Sequence, residues 1–192
     1  EAEGWEHYPK SLPGLSLTNN LGFVRIERCG FIGGYGIVSL VCYEIGDGGD
    51  GAHVEGSSHV VFASCTLVGR GGGYDWWGYC DGGAGGNGAS SNTSTVALYD
   101  CTVRGGAGGW AEENYVSGTG GRGGQGWRHV DQQLFASRTA FWGGSGGDQW
   151  HGGDGGDALE VQAAEADLRS CIYRPGNGNP GHGGGSGHDG QA

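Results

Sequence analysis

Apolar residues fall in steps of two, three and two along Val60-Val61-Phe62-Ala63-Ser64-Cys65-Thr66-Leu67-Val68-Gly69, where Val60, Phe62, Cys65 and Leu67 mark the apolar positions. Steps of two are the period of a strand, and the step of three implies a bend between two short strands. The ten-residue pattern returns at Val24 to Gly33, Val96 to Gly105, Gln133 to Trp142 and Ala166 to Pro175. Aligned on the cysteine, the copies place Cys29, Cys65, Cys101, Arg138 and Cys171 in one column, at intervals of 36, 36, 37 and 33 residues. Ile26, Phe62, Leu98, Phe135 and Leu168 stand three residues before it, and Phe31, Leu67, Val103, Ala140 and Tyr173 two residues after it. A period in this range points to stacked repeats.

Short strands, bends at fixed offsets and columns of like residues predict an all-β parallel β-helix of about five coils, stacked at a strand spacing of about 4.8 Å. A helical solenoid needs apolar residues at i, i+3, i+4 and i+7, and abundant glycine makes such runs costly. A β-sandwich of similar strands would not keep the spacing so nearly constant. Residues 1–20 lie outside the repeat, and Trp5, Tyr8, Leu12, Leu15 and Leu17 are expected to cap the first coil, with Pro9 and Pro13 disfavouring a long helix. The repeats then run over residues 21–175, and residues 176–192 form a glycine-rich tail, one domain in all.

Glycine supplies 48 of the 192 residues, far above the usual ~7%. Much of it lies in excursions between the repeats, where pairs recur every three residues: Gly120-Gly121 and Gly123-Gly124, Gly143-Gly144 and Gly146-Gly147, Gly152-Gly153 and Gly155-Gly156. Three is the period of the polyproline-II helix, which glycine also adopts, and missing side chains let such strands pack closely. The excursions are therefore expected to lie as ordered, polyglycine-II-like strands along one flank of the β-helix, the alternative being flexible linker. With 35% of the chain hydrophobic and much of that in the repeat columns, the core must be narrow and elongated.

A formal charge of −11 makes nucleic acid or an anionic membrane surface a poor partner. No run of ~18 apolar residues offers a membrane span, and the chain opens without the basic and apolar regions of a signal peptide. The cysteines divide into the column, Cys29, Cys65, Cys101 and Cys171, read as buried thiols packing as small hydrophobes, and the loop pair Cys42 and Cys80. Neighbouring coils place Cys42 and Cys80 in equivalent loops, which makes them the disulfide candidates and suits an oxidising, extracellular or cell-surface setting.

Gly46-Asp47-Gly48-Gly49-Asp50-Gly51-Ala52-His53-Val54 followed by Val60 to Gly69, and Gly153-Asp154-Gly155-Gly156-Asp157-Ala158-Leu159-Glu160-Val161 followed by Leu168 to Tyr173, resemble the glycine-rich right-handed parallel β-helix repeats of bacterial surface and secreted proteins, within the pectate-lyase-like fold group. The resemblance covers roughly residues 22–175 and implies a right-handed, single-stranded β-helix. It leaves activity open, because the group includes polysaccharide lyases, glycoside hydrolases, tailspikes and adhesins. The Gly-His-Gly of polygalacturonases is matched by Gly181-His182-Gly183, but their Asn-Thr-Asp and Asp-Asp are absent from the chain, and a glycosidase needs two carboxylates across the bond.

The glycine–aspartate runs also resemble the calcium-binding nonapeptide repeat, yet His53 stands where that pattern needs its ligand aspartate, so Asp47, Asp50, Asp154 and Asp157 are read as solubilising turns. No histidine pair has zinc-site spacing with cysteine, and no metal or other cofactor is expected. Asn92-Thr93-Ser94 fits the glycosylation acceptor pattern. Aromatic residues in or beside the excursions, Tyr74, Trp76, Trp77, Tyr79, Trp110, Trp127 and Trp150, are the candidate ligand-binding residues, able to stack on sugar rings or to anchor a partner; the alternative is that they cover the polyglycine strands. The sequence thus leads to a non-catalytic extracellular structural, adhesive or filament-forming surface protein, expected to associate with itself, end to end. The rival is a carbohydrate-binding or polysaccharide-degrading β-helix.

Overall fold

The computed structural model describes residues 11–37, 45–74, 80–110, 118–148, 151–181 and 187–191, and every regular element among them is a strand. The strands come in threes, one set per layer. The first layer holds β1 (Leu15–Thr18), β2 (Phe23–Glu27) and β3 (Gly30–Ile32); the second β4 (Ala52–Glu55), β5 (His59–Ala63) and β6 (Thr66–Val68). The third holds β7 (Ala89–Asn92), β8 (Val96–Tyr99) and β9 (Thr102–Arg104), the fourth β10 (Trp127–Val130), β11 (Gln133–Ser137) and β12 (Ala140–Trp142), and the fifth β13 (Leu159–Gln162), β14 (Glu165–Arg169) and β15 (Ile172–Arg174). Like strands pair in parallel from layer to layer, giving three five-stranded sheets: β1-β4-β7-β10-β13 (sheet A), β2-β5-β8-β11-β14 (sheet B) and β3-β6-β9-β12-β15 (sheet C). This is the parallel β-solenoid the repeat columns predict.

Alternation along each strand sends one residue in two inward, and the inward residues of the three middle layers are sealed: Val54, Phe62, Leu67, Leu98, Val103, Trp127 and Phe141 are all fully buried. The chain bends between sheets A and B at Asn19, Gly56, Thr93, Asp131 and Ala163, and between sheets B and C at Arg28, Ser64, Asp100, Arg138 and Ser170, every one at a φ between +48° and +58°. One left-handed residue redirects the chain at each corner except that between β10 and β11, where Asp131 and Gln132 (φ 58° and 65°) are both left-handed, at a steric cost that a non-glycine residue bears only where the flanking strands hold it.

The register corrects three expectations. In the fourth layer, Ala140 pairs with Thr102 and Ala136 with Leu98, so the cysteine column continues through Thr139, not Arg138. Arg138 is the left-handed corner residue, Phe135 points outward, and Ala136 and Phe141 take the inward places given to Phe135 and Ala140. Thr139 replaces cysteine because its hydroxyl makes the same contact: it donates to Ser137 O, two residues back, at 3.2 Å, as Cys101 Sγ does to Tyr99 O at 3.3 Å. Each layer also carries a third strand, that of sheet A, beyond the two read from the ten-residue pattern. Leu15 and Leu17, expected in a cap, belong to β1 and pair with Ala52 and Val54 of sheet A. The column itself is sealed only in its middle, where Cys65 and Cys101 are buried; Cys29 is exposed and Cys171 half-buried.

The glycine-rich segments between β3 and β4, and their equivalents, run out and back as paired legs joined by backbone hydrogen bonds. Gly106 and Gly109 donate to Gly86 O and Gly83 O (2.8 and 2.7 Å), and Gly124 and Gly121 donate to Gly106 O and Gly109 O (2.8 and 3.0 Å), so outgoing and returning legs lie antiparallel. Legs of one direction stack in parallel, as where Gly105 donates to Trp142 O and Gly108 to Ser145 O. Donors to these two kinds of neighbour fall on consecutive residues, and the third residue of each triplet, such as Ala107 or Arg122, faces out. The tail joins the same arrangement: Gly176 donates to Gly156 O and Gly190 to Gly176 O. A side chain on an inward glycine has no room, for a Cβ on Gly108 would lie 1.8 Å from Gly121 O.

Candidate functional site

The predicted aromatic residues do not form one site. Trp127 is in the core, edge-on to Phe62 at 6.3 Å between ring centres, and donates its indole N–H to Ser91 Oγ at 3.0 Å. Full burial removes it from any ligand-binding set. Tyr74 and Trp110 lie in adjacent layers and stack at 5.1 Å with planes 8° apart, Trp110 remaining 45% exposed. Trp76, Trp77, Tyr79 and Trp150 fall outside the described residues, as does Cys42. Cys80 takes part in a disulfide.

The glycine–aspartate runs have a structural use that the sequence reading missed. Asp47 Oδ1 accepts the backbone N–H of Ala84 (2.8 Å), Asp50 that of Asn87 (2.8 Å), Asp154 that of His188 (2.8 Å) and Asp157 that of Gln191 (2.6 Å). These N–H groups belong to outward-facing third residues, which find no backbone partner. A carboxylate one layer earlier accepts from each, giving the backbone donor the partner that the neighbouring legs do not supply. Among the described residues no cluster of three or more His, Cys, Asp or Glu could hold a metal ion.

On the outer face of sheet A, Ser90 donates to Asp50 Oδ2 and lies 2.9 Å from His53 Nδ1, whose Nε2 is 3.7 Å from Glu55. Since the serine proton is directed at Asp50, His53 Nδ1 carries its own proton and donates to Ser90. The serine is thereby left without the base that nucleophilic attack needs. Inside the same sheet, Ser91 receives the Trp127 N–H and passes its own proton to His129 Nδ1 at 2.6 Å, so that His129 is neutral with its proton on Nε2, a buried atom without a partner. Burial holds the His129 pKa below the usual imidazole value.

The outer face of sheet B carries a groove of about 590 Å³. Small residues of the second layer, Val61, Ala63 and Ser64, form its floor, and the rings of Phe23 and Tyr99 rise on either side. Its charges are mostly self-paired: Arg138 grips Asp100 through two hydrogen bonds of 2.6 and 2.8 Å, which lowers the Asp100 pKa, and Arg25 binds Glu27. Among the described residues no ion pair engages Arg28, at the groove's edge. Further along, Tyr99 meets Phe135 at 5.3 Å, Arg169 lies over Phe135 at 5.5 Å, and Arg169 binds Asp167 at 2.7 and 3.0 Å. The misread register hid this surface, since it set Phe135 inside.

The two end layers differ from the middle. Leu15, Leu17, Val24, Ile26 and Phe31 of the first layer, and Leu159, Val161, Leu168, Cys171 and Tyr173 of the fifth, are inward residues that stay only partly buried. Among the described residues no strand pairs with the outer edge of either end layer; Trp5 and Tyr8, expected in the cap, lie outside the described residues, and the tail reaches beyond the fifth layer, where Gly190 donates to Gly176 O and Gln191 O accepts the Ala158 N–H.

No family model matches this chain, and no curated protein matches it. A solved springtail antifreeze protein from Granisotoma rainieri, described as a nine polyproline type II helical bundle, is 21% identical with 95% of this chain and 92% of that chain covered, but at a TM-score of 0.17 the likeness carries no argument about fold or function.

Proposed function

We propose that this chain is a non-catalytic extracellular structural protein, a stacked-strand unit that associates with itself through its end layers at a cell surface or outside the cell. The observation that carries the reading is the state of the two end layers, where apolar columns sealed elsewhere are only half-covered and, among the described residues, the outer strand edges have no paired strand. Natural proteins block such edges because they template further pairing. The disulfide at Cys80 supports an oxidising setting. Self-paired charges on the outer faces, Asp100 with Arg138 and Asp167 with Arg169, support a scaffold over an enzyme, because acids already held by arginines are poor proton donors. Sedimentation velocity over a hundredfold range of concentration tests the proposal: a sedimentation coefficient that rises with concentration supports it, and one that stays at the monomer value overturns it.

One observation favours a second reading, glycan binding. The groove on sheet B combines two aromatic walls with a held arginine–carboxylate pair, the mixture of ring faces and planar polar groups that suits a sugar. A glycan array probed with the protein and with Tyr99→Ala decides this: binding lost in the variant supports it, and no binding by either removes it.

A further inference from the structure

We propose that the broad face formed by the outer side of sheet C and the outgoing glycine legs is a docking surface for the same face of a second copy. The two copies are related by a two-fold axis parallel to the stack, so that Arg104 of one lies over Ala107 of the other and Trp142 over Ser145. This surface is separate from the end layers, so the inference goes beyond the association proposed above and is tested apart from it.

Sheet C and the outgoing legs share one outer side because the same returning leg lies behind both. A Cβ on Gly88 would lie 2.6 Å from Arg104 N, while Gly106 and Gly109 donate to Gly86 O and Gly83 O. Strand alternation and then the triplet period therefore bring Arg104, Ala107 and Trp110 to the outside, where all three are exposed and the glycines between them are buried. Bonds from Gly72 to Ala107 O, Gly108 to Ser145 O and Gly146 to Asn177 O continue the face from layer to layer. It is open: Ile32, Tyr35 and Ile172 are 52%, 67% and 55% exposed. Its charge also sets it apart in a chain of net −11. Among the described outward residues of this face the one carboxylate is Asp148, against Arg104 and Arg174, whose guanidiniums lie 5.9 and 5.5 Å from the Trp142 ring between them. The opposite face, on the returning legs, carries Asp47, Asp50, Asp81, Asp154 and Asp157.

Side-chain size alternates across this face in the three middle layers. Small residues fill the first outward column, Thr66, Thr102 and Ala140, and the third, Gly71, Ala107 and Ser145. Large ones fill the second, Val68, Arg104 and Trp142, and the fourth, where Tyr74 stacks on Trp110. A two-fold axis parallel to the stack, between the second and third columns, keeps each layer level with itself and exchanges second with third and first with fourth. Every large column then meets a small one, with Val68 over Gly71 beside the two contacts already named. An axis across the stack would set each column on itself, large on large, and Arg104 against Arg104. The Trp142 indole N–H is buried, so the part of its ring that reaches the surface is carbon and suits a dry contact. From first to fourth column the face spans about 25 Å, and five layers span about 24 Å, at ordinary strand and polyproline-II rises. That gives roughly 600 Å² per copy, about 1,200 Å² in all, the lower end of stable interfaces.

A contact of this isologous kind closes at two copies, whereas association through the end layers continues. Sedimentation equilibrium of the native chain, Ala107→Arg and Ala107→Glu reads the contact, and a thermal melt checks that each variant folds. Ala107→Arg sets a second guanidinium against Arg104 of the other copy and should raise the dimer dissociation constant about tenfold or more, while Ala107→Glu, of equal intrusion but opposite charge, should leave it the tighter of the two. Equal dimerisation by Ala107→Arg and the native chain overturns this face and leaves association through the end layers standing; a native chain that stays monomeric at every concentration overturns both. Disulfide trapping tests the axis independently, in a chain carrying Cys29→Ser and Cys171→Ser so that the remaining column thiols, Cys65 and Cys101, are buried. With copper phenanthroline as oxidant, Arg104→Cys and Ala107→Cys samples should link into dimers when mixed and not when alone. Arg104→Cys that links to itself, or a mixture that does not link, overturns the axis.

Discussion

At the residue scale the fold depends on a few inward side chains that tolerate no charge. Leu98 is fully buried between Phe62 and Ala136 of its column. Leu98→Asp leaves an unpaired carboxylate in that column at a cost of several kcal/mol, whereas Asp100→Ala removes an exposed partner of Arg138. Thermal melts should show a large drop in Tm for the first and a small change for the second; equal melting temperatures contradict the assigned inward face. His129 makes a different prediction. Its folded pKa lies below the unfolded value of about 6.5 because burial disfavours the imidazolium. The associated stability is complete above pH ~6.5 and is lost as pH falls below it toward the lower folded value. The lowered pKa values of Asp100 and Asp167 act later, their contribution being lost as pH falls below the ordinary carboxylate value of 3.8. Tm measured between pH 7 and 5 should therefore fall in the native chain, and His129→Gln, although less stable at pH 7, should show a flatter profile over that interval. Little at this site was legible in the sequence. Ser91 and His129 break the apolar alternation of sheet A, and only the fold shows that the Trp127 N–H and the two polar side chains satisfy one another.

At the element scale the sequence declared the strands of sheets B and C, because Val60, Phe62, Cys65 and Leu67 repeat as types in neighbouring layers. It hid the strands of sheet A. Ala89-Ser90-Ser91-Asn92 has no apolar alternation, and it forms a strand because β4 and β10 lie on either side and pair with it. The fourth layer was misread by one residue for a related reason: Thr139 hydrogen-bonds in the column as cysteine does, but it does not resemble cysteine in an alignment. That single shift moved Phe135 from the outer face to the core and concealed the aromatic part of the sheet B surface. The glycine legs are more exacting than their composition suggests. Gly71 and Gly72 are chain neighbours with opposite demands, since a Cβ on Gly72 would lie 1.9 Å from Gly83 O, whereas one on Gly71 meets nothing closer than Ala107 O at 3.5 Å. Gly72→Ala should lower Tm markedly and raise amide exchange at residue 72, whose N–H donates to Ala107 O, and at Gly83, whose N–H donates to Gly73 O; Gly71→Ala should do neither. Equal tolerance of both would mean that the legs do not pack as described.

At the scale of the whole molecule, the layers form a one-dimensional stack whose middle is closed and whose ends are not. Among the described residues strands pair only between neighbouring layers, so each end layer has one strand neighbour where a middle layer has two. The parallel stacking and the columns were legible in the sequence. The most direct test of the central claim is electron microscopy of the protein at increasing concentration. The account predicts particles that lengthen with concentration. Single, unlengthened particles at every concentration would contradict it.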